Sequence, residues 1–317
     1  MEHLFHRVRS LVETANHPLL VAHRSPDGDT LGAMLAFGAH LDALGKPHTR
    51  FCIDRPAPGY SFMPGIDRVT SDLASIPGAD LICTFDAGDL KMTRLDEAFS
   101  ARPARPHLVN FDHHASNTMY GDTNVVMPAA SSTAEVVYRY LEAVRAPVDT
   151  AAATCILTGL CTDTGNFTNP ATNAGAMRLG AELIRRGAKF PAVVKNLYKN
   201  KSANMLQLWG RALERLRWSE ADEAAATALF MKDFEECGVG DDAAEGISNF
   251  LAATLKAPII MVLREAPEGM VRGSLRTVED RDVSKIAVAL GGGGHKKAAG
   301  FTVKGHLLEV DGVWKIL

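Results

Sequence analysis

The chain has no stretch approaching the ~18 consecutive apolar residues of a membrane-spanning helix, so nothing in it reads as a helical anchor. It also lacks a surplus of charge: 34 Lys and Arg against 37 Asp and Glu leave a net −3. No global field draws it to nucleic acid, and a polyanion must be held by local patches or metal ions. A binder of long duplexes is disfavoured. Cysteine is sparse and unpatterned. Cys52, Cys83, Cys155, Cys161 and Cys237 show no C-x-x-C spacing and sit mostly in apolar surroundings, the pattern of reduced, buried thiols. Internal repeats and low-complexity tracts are absent as well. The opening residues, Met1 to Arg7, contain no basic segment followed by an apolar core, so the cytoplasm is the expected location.

What is present is an ordinary globular composition, 46% hydrophobic and 22% charged, in 317 residues. That length exceeds one usual core, so two domains are expected. In the first half, strand-like runs (Leu19–His23, Thr49–Ile53, Leu81–Phe85, Leu108–Phe111) alternate with helical stretches. Such alternation predicts an α/β fold: a parallel sheet with helices on both faces. A helix runs from Leu31 to a stop near Gly45, and Ser132-Thr133-Ala134-Glu135 is a capping-box pattern opening another over Val136–Val144. Its first amides either serve as a plain cap or bind an anion. Ala151–Leu160 reads as a helix ending just before Asp163. Between Lys189 and Arg217 seven basic residues face a single acid, Glu214. The domain boundary is expected here, as a helical connector with a solvated basic face or a phosphate-steering one. Beyond it a smaller α/β domain with a mixed sheet is expected, with strands over Ala225–Met231, Pro258–Arg264 and Met270–Thr277 and a helix near Val283–Leu290.

Four clusters of acids and imidazoles follow the apolar runs of the first half. His23, Asp27 and Asp29 lie within seven residues after Leu19–Ala22; Asp86 follows Leu81–Phe85; Asp112-His113-His114 follows Leu108–Phe111; Asp163 follows the helix. Taken singly, each has a bland explanation as a turn, a cap or a hydrogen-bonded histidine. In series at strand ends they call for one explanation, because open parallel sheets bind their ligands outside the carboxyl ends of the strands. Imidazole mixed with several carboxylates suits Mn²⁺ or a similar divalent ion. Two such ions about 3.5–4 Å apart can activate a water and clamp an attacked phosphoryl group. Cys161, two residues before Asp163, is a weaker candidate ligand, since carboxylates already supply a hard-leaning site. Asp89 rivals Asp86, which is preferred because it directly ends the strand.

This series resembles the DHH phosphoesterase superfamily, whose signature is the Asp112-His113-His114 triplet preceded by His23…Asp27-Gly28-Asp29. The segment Gly291-Gly292-Gly293-Gly294-His295-Lys296 is similar to the glycine-rich motif of the domain that accompanies it in the RecJ-like and nanoRNase branch. The matching segments run from about Val21 to Phe301, nearly the whole chain. The resemblance implies a phosphoesterase domain over residues 1–188, a helical linker over 189–204 and a substrate-binding domain over 205–317. It implies two divalent ions, Mn²⁺ foremost, with His23 and Asp27 on one, Asp29, His113 and Asp163 on the other, and Asp86 bridging. Asp112 would orient an imidazole, and His114 would reach the scissile phosphate.

In the second domain the glycine run, with Gly293, Gly294 and His295, reads equally as a flexible turn or as backbone donors for an anion; the resemblance favours substrate. Arg264, Ser274 and Arg276 lie on adjacent expected strands, and Arg272–Arg276 is similar to a family element that grips phosphate or base. The implied activity is hydrolysis of very short RNA to mononucleotides, with phosphatase activity on 3′-phosphoadenosine 5′-phosphate (pAp). Hydrolysis of cyclic or linear dinucleotides is the alternative within the class, and a catalytically silent nucleotide-binding regulator the alternative outside it. The glycine-rich segment argues against inorganic pyrophosphatase, and no ligand position is missing. Monomer and homodimer are both open.

Overall fold

Short apolar runs that lose water on both faces fold as the inner strands of a parallel sheet, and all residues of Pro18–Ala22 and Leu81–Phe85 are buried. The computed structural model describes residues 1–76, 78–96, 106–199, 201–310 and 312–317, with only the backbone at Ser75 and His295. It divides into two compact units, Met1–Asn200 and Lys201–Leu317.

The first unit holds β1 (Pro18–Ala22), β2 (Thr49–Phe51), β3 (Val69–Thr70), β4 (Leu81–Phe85), β5 (His107–Asp112) and β6 (Thr123–Val126), in the order β3-β2-β1-β4-β5-β6. Every neighbouring pair is parallel. The chain winds outward from β1 through β2 and β3, then returns to the other side of β1 with β4. The direction of winding therefore reverses between β1 and β4, which opens a crevice at their carboxyl ends.

Its helices are α1 (Glu2–Thr14), α2 (Gly28–Ala43), α3 (Thr133–Ala143), α4 (Thr150–Asp163), α5 (Ala174–Arg185) and α6 (Phe190–Tyr198). One sheet face, with Leu20, Cys83, Phe85 and Phe111, joins residues of these helices in the main core. Phe37 of α2 stands at its centre, with ring centroids 5.3–5.5 Å from those of Phe85, Phe111 and Tyr140. The alternate residues Leu19, Val21, Ile82 and Leu108 form a second cluster with Ile76 and Leu95 on the opposite face. There, the described cover includes short 3-10 turns at Leu73–Ser75 and Leu90–Thr93. The cap residues set the helix starts earlier than apolar periodicity alone suggests: Asp27 accepts from the amides of Asp29 and Thr30, so α2 begins at Gly28.

The expected connector is two helices, each built into a core. Val193 of α6 belongs to the first unit's core, and Leu208, Trp209 and Ala212 of α7 (Ala203–Glu214) to one in the second. The second unit then has β7 (Arg217–Ser219), β8 (Ala224–Leu229), α8 (Met231–Cys237), α9 (Ile247–Thr254), β9 (Ile259–Ala266), β10 (Met270–Arg276), α10 (Val283–Ala289), β11 (Gly293–His295) and β12 (Ala298–Lys304). The sheet order is β11-β12-β10-β9-β8-β7; β8 and β9 are parallel and the other pairs antiparallel, a mixed sheet. A separate hairpin pairs β13 (Leu307–Val310) with β14 (Val313–Ile316).

Helices α2 and α4 meet at glycines. A Cβ on Gly32 would lie 2.4 Å from the carbonyl oxygen of Cys155, and one on Gly28 2.1 Å from Thr162 Oγ1. Only bare backbone permits this approach. Gly32→Ala is expected to lower stability by about 1–3 kcal/mol, the usual cost of overpacking a core, read as a lower urea midpoint. An unchanged midpoint would mean that the two helices separate freely.

Candidate metal centre

The carboxyl ends of β1, β4 and β5 and the carboxyl end of α4 bring the acids and imidazoles together. Ligand-capable atoms of His23, Asp27 and Asp86 lie within 4.8 Å of one another, as do those of Asp29, His113 and Asp163, and of Asp86, His113 and His114. Asp86 faces both sides: Oδ2 is 3.4 Å from His23 Nε2, and Oδ1 is 3.7 Å from His113 Nε2. His113 Nε2 is 3.0 Å from Asp163 Oδ2. Asp89 is elsewhere, capping the turn Leu90–Thr93 by accepting from the Lys91 amide. Cys161 is in none of these groups; its thiol is buried and pushed up to about 12 by that burial.

Backbone carbonyls fix the imidazoles. His23 Nδ1 lies 2.7 Å from the oxygen of Arg24, and His113 Nδ1 3.2 Å from that of Ala130. A carbonyl can only accept, so each Nδ1 carries the proton and each Nε2 turns its lone pair inward, the tautomer a metal ligand needs. His114 is held differently. Its Nδ1 is 2.6 Å from Asp112 Oδ1, while Asp112 Oδ2 accepts from Asn117 Nδ2 at 2.5 Å. Asp112 thus orients His114 and also receives the His113 amide at 2.8 Å. Any contact of His114 with a substrate must come through Nε2.

Several of the groups that position these side chains carry no mark in the sequence. Asp29 is fully buried, and its carboxylate accepts from the amides of Thr133 (2.6 Å) and Ala134 (2.9 Å), the first residues of α3. The anion at this helix N-terminus is therefore an internal one. Thr133 Oγ1 also donates to Asp86 at 2.9 Å. Asp86 has φ 58°, a left-handed conformation that costs roughly 1–3 kcal/mol and clusters at functional sites. Below Asp163, Gly165, Asn166 and Phe167 are three consecutive left-handed residues. They are pinned by Tyr198, whose hydroxyl donates to the Cys161 carbonyl at 2.6 Å, and by Asn169, whose Nδ2 donates to the Asp163 carbonyl at 2.7 Å. Gly159 makes room for the centre itself: a Cβ there would stand 2.6 Å from Asp29 Oδ1.

The electrostatics are those of a crowded anionic site. Burial first, then the charges of Asp86 and Asp163, push Asp27 up to about 6; burial and neighbouring carboxylates likewise raise Asp29 and Asp163. Burial disfavours a charged His23, yet its hydrogen bond to Asp86 and the charges of Asp86 and Asp27 prevail and lift it to about 9. Against the same opposition from burial, His113 is raised by Asp163, Asp29 and Asp86. Burial opposes ionisation of Asp86, but the imidazoles hold its pKa low. Protons on the imidazoles thus stand where cations would. With neutral imidazoles, the four carboxylates of Asp27, Asp29, Asp86 and Asp163 carry a charge that two divalent cations balance. The donor set fits such ions.

In the second unit, Arg264, Ser274 and Arg276 line one cavity of about 150 Å³ together with Gly246, Ile247 and Ser248. Helix α9 opens onto it with Gly246 as its cap residue and no side-chain cap. Arg276 Nε donates to Asn249 Oδ1 at 2.6 Å and Nη1 to the Leu275 carbonyl at 2.9 Å; burial lowers its pKa. The glycine run is not part of that lining but lies two strands away in the same sheet, Gly293 pairing with Gly300 beside Ser274. It follows the carboxyl end of α10, and Gly293 and Gly294 form an edge strand on β12 rather than a helix-start cradle. A Cβ on Gly294 would meet the Ala298 carbonyl oxygen at 2.6 Å, whereas one on Gly293 would meet open space. The His295 side chain is outside what is described. Of the basic stretch, Arg211 and Arg215 are paired with Asp233, and Arg217 with Glu309. Those cations serve the fold.

The chain as a whole resembles known proteins. Residues 18–160 match the N-terminal domain of the DHH family, and residues 225–312 match the DHHA1 domain. The chain thus carries a DHH domain followed by a DHHA1 domain. It is 28% identical over 307 residues to a Thermus thermophilus protein named bifunctional oligoribonuclease and PAP phosphatase NrnA, covering 96% of this chain and 89% of the relative. A Bacillus subtilis protein of the same name is 27% identical over 303 residues, 94% of this chain and 91% of the relative. Among solved structures, an exopolyphosphatase-related protein from Bacteroides fragilis superposes with a TM-score of 0.89 at 26% identity, over 96% of this chain and 92% of that one.

Two outcomes are expected of this DHH centre. Asp86→Ala should abolish divalent-metal binding and activity, and Asp89→Ala should spare both; equal damage would refute the distinction. Because metal ligation needs neutral imidazoles and His23 is raised to about 9, loading at pH 7 should release protons. Apparent affinity should then climb with pH toward 9. Calorimetry in buffers of different protonation enthalpy measures the release, and a value of zero would contradict it.

Proposed function

We propose that this phosphoesterase hydrolyses very short oligoribonucleotides to mononucleotides and also dephosphorylates pAp, with two divalent ions, Mn²⁺ foremost. The observation that carries the reading is the pairing of a four-carboxylate, two-imidazole centre with a separately anchored histidine beside it. His23 and Asp27 would hold one ion, Asp29, His113 and Asp163 the other, and Asp86 both. When bound, the ions supply Lewis acidity and lower the pKa of water.

The chain's own groups do the rest. Asp112 keeps the proton of His114 on Nδ1 and favours the imidazolium; burial opposes this, but Asp112 and the charge of Asp86 raise the pKa of His114. Charged His114 would donate from Nε2 to a phosphoryl oxygen or to the departing ribose oxygen. Asn117 holds Asp112 from its other side and so fixes the acceptor on which the ring is set. In the second unit Arg276, Ser274 and the open helix start at Ile247 would receive a phosphate of the substrate. The relatives named as oligoribonuclease and PAP phosphatase support this substrate class.

His114→Ala is expected to keep both ions and lose about 10²–10⁴ in kcat, the usual range for a general acid; metal analysis beside single-turnover rates separates the two effects. A protein with no net positive field should gain little from extra phosphates. On a ladder of labelled RNAs, kcat/KM should therefore peak at roughly two to five nucleotides. A steady rise past ten would favour a processive exonuclease instead.

A further inference from the structure

Two guanidiniums face the cavity of the second unit, and their surroundings differ. Arg264 is held twice by Asp241: its Nη1 donates to the Asp241 carbonyl at 2.8 Å and lies 3.0 Å from Oδ1. The other oxygen, Oδ2, accepts from Arg272 at 2.7 Å. Asp241 begins the turn Asp241–Ala244, which leads directly into the cavity wall at Ala244, Glu245 and Gly246. Arg276 has only neutral partners, Asn249 and the Leu275 carbonyl, and no carboxylate pairs with it among the described residues. Beside it, the Ser248 side chain is buried, and no hydrogen bond engages its hydroxyl among the described residues.

We propose that Asp241 is a specificity-determining residue: it withdraws Arg264 from the incoming anion, so that the cavity accepts one phosphate group and disfavours a di- or triphosphate. The proposal rests on the reading of this cavity as a phosphate receptor. A carboxylate oxygen 3.0 Å from Arg264 competes with a phosphoryl oxygen for the same N–H groups and repels it as a like charge. One terminal phosphate, carrying about −1.5 to −2 charges, meets Arg276 and the roughly +0.5 charge of a helix start. Each further phosphate brings negative charge with no cation of its own and sets it near Asp241 and Glu245. The wall thus counts charge.

Calorimetry of AMP and ADP binding to the full chain loaded with Mn²⁺ tests this. Asp241→Asn, a change of charge at nearly constant shape on a half-exposed side chain, should tighten ADP roughly tenfold or more, the worth of one charge-assisted contact, and AMP by less. Thermal melting checks that the variant folds, and Asp241→Ser should move both ligands the same way. Asp242→Asn removes an equal charge from a side chain that pairs with no arginine among the described residues, and should change neither ligand. The gain must vanish in the double variant Asp241→Asn/Arg264→Gln. Unchanged or weaker ADP binding, an equal gain from Asp242→Asn, or a gain that survives loss of Arg264 would each overturn the role of Asp241. Arg276→Ala tests the underlying reading separately. If it weakens AMP while Asp241→Asn gives no gain, only the specificity role falls; if AMP binding is indifferent to Arg276, the receptor reading falls and the proposal with it.

Discussion

Asp29 is an ionisable group with no exposure to solvent, and its carboxylate rests on the first two amides of α3. Burying such a charge costs several kcal/mol. Two charge-assisted hydrogen bonds at about 1.5–3 kcal/mol each, with a helix start adding up to about 2, work against that cost. Raised pKa values at Asp29 and Asp163 are the residue of the imbalance. A cation held there would oppose this charge. The same helix start reaches Asp86 through the Thr133 hydroxyl, so one end of one helix sets the spacing between acids contributed by α2 and β4. The candidate site and the helix packing are a single construction.

Much of that construction is legible along the chain, for a definite reason. Three candidate ligands, His23, Asp86 and His113, follow apolar strands whose ends a parallel sheet turns toward one crevice, and the helix Thr150–Asp163 delivers Asp163 to them. The preference for Asp86 over Asp89 follows from the same rule, since the residue that ends the strand faces the crevice and the one three further on caps a turn. What could not be read are contacts between distant residues with unremarkable side chains. Thr133 lies 104 positions from Asp29, and Tyr198 37 from Cys161. Asn117 beside Asp112 had a local signal, being five residues away, but nothing in the spacing says which imidazole Asp112 would hold.

The second unit was harder to read because its signals are charges and glycines, which solvent and turns use freely. The basic stretch after Lys189 suggests a steering surface, yet Arg211 and Arg215 are spent on the buried Asp233, an acid 18 to 22 residues downstream. The glycines of residues 291–294 are explained in part by sterics: β12 approaches Gly292 and Gly294 too closely for any side chain, whereas Gly293 faces open space. Arg264 and Arg276, alike in sequence, differ in their partners: Asp241, placed by a turn, for the first, and Asn249 with the Leu275 carbonyl for the second.

Gly159 has a wider consequence. The volume where its side chain would stand is occupied by Asp29 and by Ala134, at the junction of α2, α3 and α4. Enzymes often relieve the tension between robustness and activity by stiffening regions remote from the reacting groups. Here no such separation exists at the junction, because the atoms that close the core also seat Asp29. Evolutionary drift in this triangle of helices is therefore confined to coordinated exchanges, and a thermostable descendant must draw its gains from the strands, the surface or the second unit.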